Sequence, residues 1–273
     1  FNRMVSVIVR VLQRLGGEFA QSVFQPVGVE VAVGENGPIL PLRAEGKDGV
    51  KVSIKGSIDR VDIMENENGR YARVVDYKSG GKKFSLTDVY YGINMQMLIY
   101  LFALCEGGQG IYQNCSPAGV LYFPSKADVQ NLARETTDEA AADAVGGKMA
   151  MNGLLLRDMD VLAAMEKELA GQYIPIKEKK SGGYTAEDQM ADAREFEKIR
   201  RHVRRLIAAM GEDLYHGNVA PNPCDGAGGK TCEYCDYAAL CHADRLGQFP
   251  GNPEINIADF YALLDKEEKE GAE

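Results

Sequence analysis

Gly56-Ser-Ile-Asp-Arg-Val-Asp62, Val74-Val-Asp-Tyr-Lys-Ser-Gly80 and Gly92-Ile-Asn-Met-Gln-Met-Leu-Ile-Tyr100 place two carboxylates, a lysine and a Gln/Tyr pair in one short span. The runs Val52 to Ile63 and Tyr71 to Lys78 alternate as strands do. Between them, Glu65-Asn-Glu-Asn-Gly-Arg70 is polar and carries an Asn-Gly pair, so the segment predicts a β-hairpin. Side chains alternate along a strand, which puts Asp76 and Lys78 on the same face. A two-residue loop at Glu67-Asn68 sets Asp59 opposite Asp76, and one at Asn68-Gly69 sets it opposite Lys78. Either register gathers the three groups on one face, whereas an odd-length loop or a bulge sends Asp59 to the other.

Two carboxylates and an ammonium on one patch of sheet make a poor stability device, because desolvating charges costs more than their attraction usually returns. A hard divalent cation changes that balance. Asp59, Asp76 and the backbone carbonyl of Tyr77 are the oxygen donors that suit Mg²⁺ or Mn²⁺, which keep waters and accept phosphate oxygens in their other positions. Such a cation acidifies a bound water and neutralises phosphate charge, and Lys78 is placed to orient that water or to stabilise developing negative charge. Taken singly, Asp-Arg-Val-Asp and Asp-Tyr-Lys read as solvated strand faces with surface ion pairs; the ordered set points to phosphodiester chemistry.

The next segment strengthens that expectation. Ser85-Leu-Thr-Asp88 has the form of a capping box, and the apolar run that follows predicts one helix over residues 86 to 105. On that helix Gly92, Gln96 and Tyr100 fall at i, i+4 and i+8, a stripe offering close backbone approach and two hydrogen-bonding side chains. A core helix with its amide and phenol satisfied internally is the alternative.

Gly56-x-Ile58-Asp59-Arg60-x-Asp62, Asp76-Tyr77-Lys78-Ser79-Gly80 and Gln96-x-x-x-Tyr100 resemble the motifs of the RecB-like branch of the PD-(D/E)XK nucleases. Phe24-Gln-Pro-Val-Gly-Val-Glu30, Val89-Tyr-Tyr-Gly92, Ala118-Gly-Val-Leu-Tyr-Phe123 and Cys232-Glu-Tyr-Cys235-Asp-Tyr-Ala-Ala-Leu-Cys241 are similar to the C-terminal nuclease domain of the AddB-like family of helicase/nuclease subunits. The resemblance runs from the first helix to about Cys241. It implies an α/β, restriction-endonuclease-like core with a mixed sheet flanked by helices. It also implies single-strand DNA cleavage inside a bacterial helicase/nuclease heterodimer of the AddAB type that resects double-strand breaks. Asp59 and Asp76 would be metal ligands, Lys78 the catalytic lysine, Gln96 and Tyr100 supporting groups, and Glu30 the acidic residue that the superfamily carries before the hairpin. RecB-like sites add a metal-binding histidine upstream, while the histidines here are His202, His216 and His242. The chain, which starts on Phe1, therefore reads as a piece that begins after that histidine.

Cys224, Cys232, Cys235 and Cys241 are spaced C-x7-C-x2-C-x5-C, with Cys105 and Cys115 apart. No apolar leader or membrane-length run is present, so a reducing cytoplasm is expected and the cluster suggests iron-sulfur or structural zinc rather than disulfides. The family resemblance implies a [4Fe-4S] cluster on Cys232, Cys235 and Cys241 with a fourth cysteine far upstream. Cys224 is a substitute ligand, though the spacer Asp225-Gly-Ala-Gly-Gly-Lys230 is unlike the family pattern. Free reduced thiols are the alternative.

The remaining composition bounds the architecture. With 273 residues and 45% hydrophobic content the chain can fill one good-sized core. The expected elements are a helix at 2 to 22, strands near 27 to 33, 51 to 63 and 71 to 78, the helix at 86 to 105, and a strand at 118 to 123. Short helical stretches over 125 to 157, an exposed loop or hairpin tip at 174 to 186 and a long helix from about Ala186 to His216 follow. The expected organisation is a nuclease core over 1–125, a helical annex over 126–245 in the same globular unit, and a C-terminal tail over 246–273 whose end, Asp265 to Glu273, is solvated or frayed. A net charge of −9 argues against a free-standing DNA-binding module, although a strand delivered by a tethered helicase needs little affinity at the site. Lys198, Arg200, Arg201, Arg204 and Arg205 make a basic segment for DNA phosphates or an acidic partner, with a solvated helix face as the plainer reading. Tyr90 and Tyr91 are candidates for base stacking or for core packing. A non-catalytic DNA- or partner-binding scaffold and a stand-alone restriction-type endonuclease are the competing functions.

Overall fold

The computed structural model describes residues 2–78, 83–125, 150–220, 223–224, 231–241 and 252–270. After helix α1 (Asn2–Gln21) come strands β1 (Gln25–Val33), β2 (Leu42–Glu45), β3 (Lys51–Ile54), β4 (Gly56–Asn66) and β5 (Gly69–Lys78). Helices α2 (Leu86–Tyr90) and α3 (Gln96–Gly107), strands β6 (Cys115–Pro124) and β7 (Asn152–Leu156), helix α4 (Met159–Met165) and the short β8 (Met190–Ala191) follow. Helices α5 (Ala193–Tyr215), α6 (Ala238–Cys241) and α7 (Ile257–Glu270) complete the described elements.

Six strands form one mixed sheet in the order β1-β4-β5-β6-β7-β8, with β5/β6 and β7/β8 parallel and the other neighbours antiparallel. The expected mixed-sheet α/β core is thus borne out. The β4–β5 hairpin closes through Glu67-Asn68, with Asn66 opposite Gly69 and the Asn66 side-chain oxygen accepting from the Asn68 amide at 2.9 Å. Of the two registers open to the sequence, the structure takes the one in which Arg60 faces Val75 and Asp59 falls level with Asp76. On the central strands Val61, Val74, Val75, Val120 and Leu121 are completely buried. Each such side chain stabilises the fold by about 1.5–3 kcal/mol relative to exposure.

Several expected elements differ. The run 51 to 63 is two strands: β3 pairs with β2 in a separate two-stranded sheet under α5, and Lys55 is the joint to β4. Gly211 permits this, since a Cβ there would overlap the Val52 side chain. The helix expected over 86 to 105 breaks after Tyr90, because Gly92 (φ +78°) and Asn94 (φ +57°) adopt left-handed backbone before α3 starts. The helix expected from Ala186 begins at Ala193, where Asp192 and Glu195 form a complete capping box.

β7 and β8 lie beyond residue 125, so the segment expected to be a helical annex also extends the core sheet. Most of the short helical stretches expected over 125 to 157 fall outside the described residues, as do Ser79-Gly80. The hairpin expected within 174 to 186 is present, with Glu178 bridged to Tyr184. Within the expected tail, α7 packs on α5 through fully buried Phe260 and nearly buried Leu264. At its charged end the acids Asp265, Glu267 and Glu268 pair with Lys198, Arg205 and Arg201 of α5.

Candidate active site

β4 and β5 bring the hairpin's charged groups together through pairing alone. Asp59 is level with Asp76, and its Oδ2 accepts the Tyr77 backbone N–H at 3.0 Å. Two residues on, Lys78 Nζ donates to Asp76 Oδ1 at 3.0 Å and lies 2.7 Å from Oδ2. Oδ2 is buried and, although the ammonium is close, accepts no contact of hydrogen-bond geometry. The Lys78 ammonium offsets part of the cost of burying that oxygen, and a second cation would offset more. A hard divalent cation held by Asp59 and Asp76 would be that second cation. Among the described residues, though, no three or more His, Cys, Asp or Glu are gathered to hold a metal, so backbone carbonyls and waters would complete the shell.

Glu30 lies between the pairs Val29↔Arg60 and Val31↔Ile58, level with Asp59 on the outer strand. Its backbone is left-handed (φ +52°), and its carboxylate accepts from the Ser57 hydroxyl at 3.4 Å. The helix break alters the Gly92–Gln96–Tyr100 stripe: Gly92 sits in the turn, outside α3, while exposed Gln96 and buried Tyr100 share α3. Gln96 Nε2 donates to the Tyr100 hydroxyl at 3.4 Å, and that hydroxyl lies against Gly56, where a Cβ would overlap it. This places Tyr100 at the start of β4.

Three features of the site escaped sequence reasoning. Tyr122 on β6 is paired with Asp76 on β5. Burial, and then the charges of Asp76 and Asp88, push its phenol up to about 12. Asp88 is itself buried on α2 and accepts from Asn94 Nδ2 at 2.7 Å, so the turn that breaks the helix closes on this carboxylate. Ser85 caps α2 by accepting from the Asp88 amide.

The third feature occupies the opposite face of the hairpin. Arg60, Asp62, Arg73 and Glu18 of α1 form a buried quartet of two cations and two anions. Arg60 Nη2 lies 3.0 Å from Glu18 and 2.8 Å from Asp62, and Arg73 lies 2.5 Å and 2.9 Å from the same two groups. Burial works against the Arg60 charge, but Asp62 and Glu18 outweigh it and raise its pKa above the ordinary value. Arg60 Nη1 also donates to the Tyr77 hydroxyl at 3.0 Å, so Tyr77 is held by its side chain on one face and by Asp59 through its amide. The Asp-Arg-x-Asp spacing hinted at this, since alternate residues serve opposite faces; Glu18 and Arg73 carried no local signal.

The motifs and this geometry agree with the family comparison. The model of the PD-(D/E)XK nuclease superfamily matches residues 2–242. The chain belongs to that superfamily. Curated relatives include the B subunit of the ATP-dependent helicase/deoxyribonuclease of Acetivibrio thermocellus, 36% identical over 274 residues, covering 98% of this chain and 24% of the relative. The same-named proteins of Clostridium tetani (34% over 246 residues; 89% and 21%) and Alkaliphilus metalliredigens (30% over 278 residues; 98% and 24%) are similar. The chain therefore spans about a quarter of the length of these relatives, and the resemblance to helicase/nuclease subunits is borne out. Superfamily members generally use Mg²⁺ or Mn²⁺, which the Asp59/Asp76 pair fits.

The other candidate residues fare differently. All five cations of the α5 basic segment are paired internally: Lys198 with Asp265, Arg200 and Arg204 with Glu106, Arg201 with Glu268 and Arg205 with Glu267. Tyr90 packs rather than projects, stacked on His202 with ring centroids 5.3 Å apart and planes 9° apart. Of the cysteines, Cys232 is half-buried and Cys235 and Cys241 are exposed, while Cys224 Sγ accepts from Asn252 Nδ2 at 2.6 Å. These thiols form no ligand group among the described residues. Burial raises the thiol pKa of Cys105 and Cys115. Among the described residues no helix is long and apolar enough to cross a membrane.

Proposed function

We propose that the chain hydrolyses DNA phosphodiester bonds with a divalent cation, as the nuclease domain of a helicase/nuclease subunit that acts on single strands during double-strand break resection. The observation that carries this reading is Asp76: a buried carboxylate level with Asp59, paired with Lys78, and left with one oxygen that accepts no hydrogen bond. Asp59, Asp76 and the Tyr77 carbonyl would hold Mg²⁺ or Mn²⁺, which supplies an acidified water and neutralises phosphate charge. Lys78 keeps an ammonium beside the scissile phosphate and can hand a hydrogen bond to a water or a phosphate oxygen as charge develops. Asp59 also fixes the Tyr77 peptide, so the carbonyl and the carboxylate are set by one strand pairing. Glu30, Gln96 and Tyr100 flank the start of β4 as supporting groups.

The partner would be the second subunit of an AddAB-like heterodimer, in the bacterial cytoplasm. Cys232, Cys235 and Cys241, with a fourth ligand from Cys224 or from a longer polypeptide, are the candidates for a [4Fe-4S] cluster or zinc. Iron and acid-labile sulfide lost on Cys235→Ser supports the cluster; stoichiometric zinc overturns it.

The test of the nuclease is degradation of end-labelled single-stranded DNA in Mg²⁺ or Mn²⁺. Wild-type cleavage that stops with EDTA and drops at least a thousandfold in Lys78→Ala is expected. Equal cleavage by the variant, or none by the wild type within its partner complex, contradicts the assignment.

A further inference from the structure

The pairing of the whole α5 basic segment leaves the question of where a polyanionic strand would meet this acidic chain. The β2–β3 hairpin answers it. Lys47 at its turn, Lys51 in β3 and Lys55 at the joint to β4 are all exposed, and among the described residues none forms an ion pair with a carboxylate. Arg43, paired across the ladder with Ser53, extends the row although it is bonded to Glu35 at 2.7 Å.

Two aspects of this row point to a ligand rather than to a solvated edge. First, its direction: β3 passes through Lys55 directly into Gly56 and β4, so the row runs along the chain into the strand that carries Asp59. Second, its floor: Arg43, Lys47 and Lys51 line a groove of about 790 Å³ between the hairpin and α5, where Ala44, Ala208 and Ala209 supply small apolar contacts. Two acids line it as well: Glu45, opposite Lys51 on the ladder but forming no ion pair with it, and Glu212, which is engaged by the Asp48 backbone N–H at 3.0 Å. Unpaired lysines beside an apolar groove are what an extended strand uses, since its phosphates need cations and its bases and sugars need a weakly polar surface.

We propose that the β2–β3 hairpin is the entry track for single-stranded DNA, with Lys47, Lys51 and Lys55 neutralising successive phosphates on the way to Asp59 and Asp76. This rests on the nuclease reading but is tested apart from cleavage.

The experiment is fluorescence anisotropy of a labelled oligodeoxynucleotide with the 273-residue chain in EDTA, titrated across salt concentrations. For Lys47→Ala/Lys51→Ala/Lys55→Ala, affinity at low salt should fall about tenfold or more. The slope of log affinity against log salt should shrink by about 2, as three lost contacts on a single strand predict. The matched triple Lys167→Ala/Lys177→Ala/Lys180→Ala, with the same change in net charge, should bind as wild type does. An equal loss in both triples, or no loss in the first, overturns the track. Melting temperatures identify any variant that fails to fold; single Lys51→Ala and Lys55→Ala changes, each lowering the slope by about 0.7, then decide. Wild-type cleavage in Mn²⁺ reports separately on the nuclease reading.

Discussion

Asp59 and Arg60 are neighbours that face opposite ways, and each depends on the other's surroundings. Asp59 holds the Tyr77 amide on the site face, and Arg60 holds the Tyr77 hydroxyl from the buried quartet. Arg60→Met leaves Glu18 and Asp62 sharing Arg73 alone. Its expected cost is about 3–5 kcal/mol in urea unfolding, because uncompensated buried charge outweighs what a well-packed side chain returns. A loss under about 1 kcal/mol contradicts a fully desolvated quartet. Tyr77→Phe removes one hydrogen bond to a charged donor and should cost about 1.5–3 kcal/mol. At this scale the sequence was informative about the site and silent about its support. Parity and an even-length turn sufficed for Asp59, Asp76 and Lys78. Glu18 lies on an amphipathic helix where a carboxylate ordinarily faces water, and its partners are 42 and 55 residues away. Asp88 was legible as a capping-box position but not as a carboxylate near Tyr122, because tertiary approach carries no periodic signature.

The break between α2 and α3 shows how an element can be misread from a sound pattern. The apolar run without proline favoured a continuous helix, but Gly92 and Asn94 offered left-handed backbone, and the Asp88–Asn94 bond rewards its use. Gly92→Ala forces a side chain into that conformation and against the Met210 methyl. It should cost about 1–2 kcal/mol, read as a fall in melting temperature; an unchanged or raised value would mean that the turn is not left-handed. The α5–α7 contact carries a pH dependence. His202 is buried between the Tyr90 carbonyl, 3.1 Å from Nε2, and Arg205, 2.7 Å from Nδ1, with Glu267 3.2 Å from Nδ1. Since Arg205 can only donate, Nδ1 accepts and Nε2–H donates to Tyr90, which is the neutral tautomer. Burial lowers its pKa, and Glu267 offsets only part of this. The unfolded chain therefore binds this proton at a higher pH than the folded one does. The contribution is complete above the unfolded value, near about 6.5, and is lost as pH falls below it. Between about pH 7 and 5 the melting temperature of His202→Gln should fall less steeply than that of the wild type; parallel profiles contradict the assignment.

For the molecule as a whole, the sheet is a frame in which two antiparallel strands set Asp59, Asp76 and Lys78 on one face and the buried Arg60–Asp62–Arg73–Glu18 quartet on the other. Covering helices then close both faces. Net charge argued against broad DNA affinity of the surface, and along α5 the cations are engaged by Glu106, Asp265, Glu267 and Glu268. Long-range pairing of this kind is invisible to composition, so the basic segment looked more available than it is. The central claim is that strand register alone assembles a divalent-cation site from Asp59 and Asp76. The most direct test is titration of the isolated chain with Mn²⁺ by electron paramagnetic resonance, with no DNA present. The account predicts one bound Mn²⁺ per wild-type chain, weakened at least tenfold in Asp59→Asn and in Asp76→Asn with the fold intact. Undiminished binding in both variants, or no bound Mn²⁺ at millimolar concentration, would contradict it.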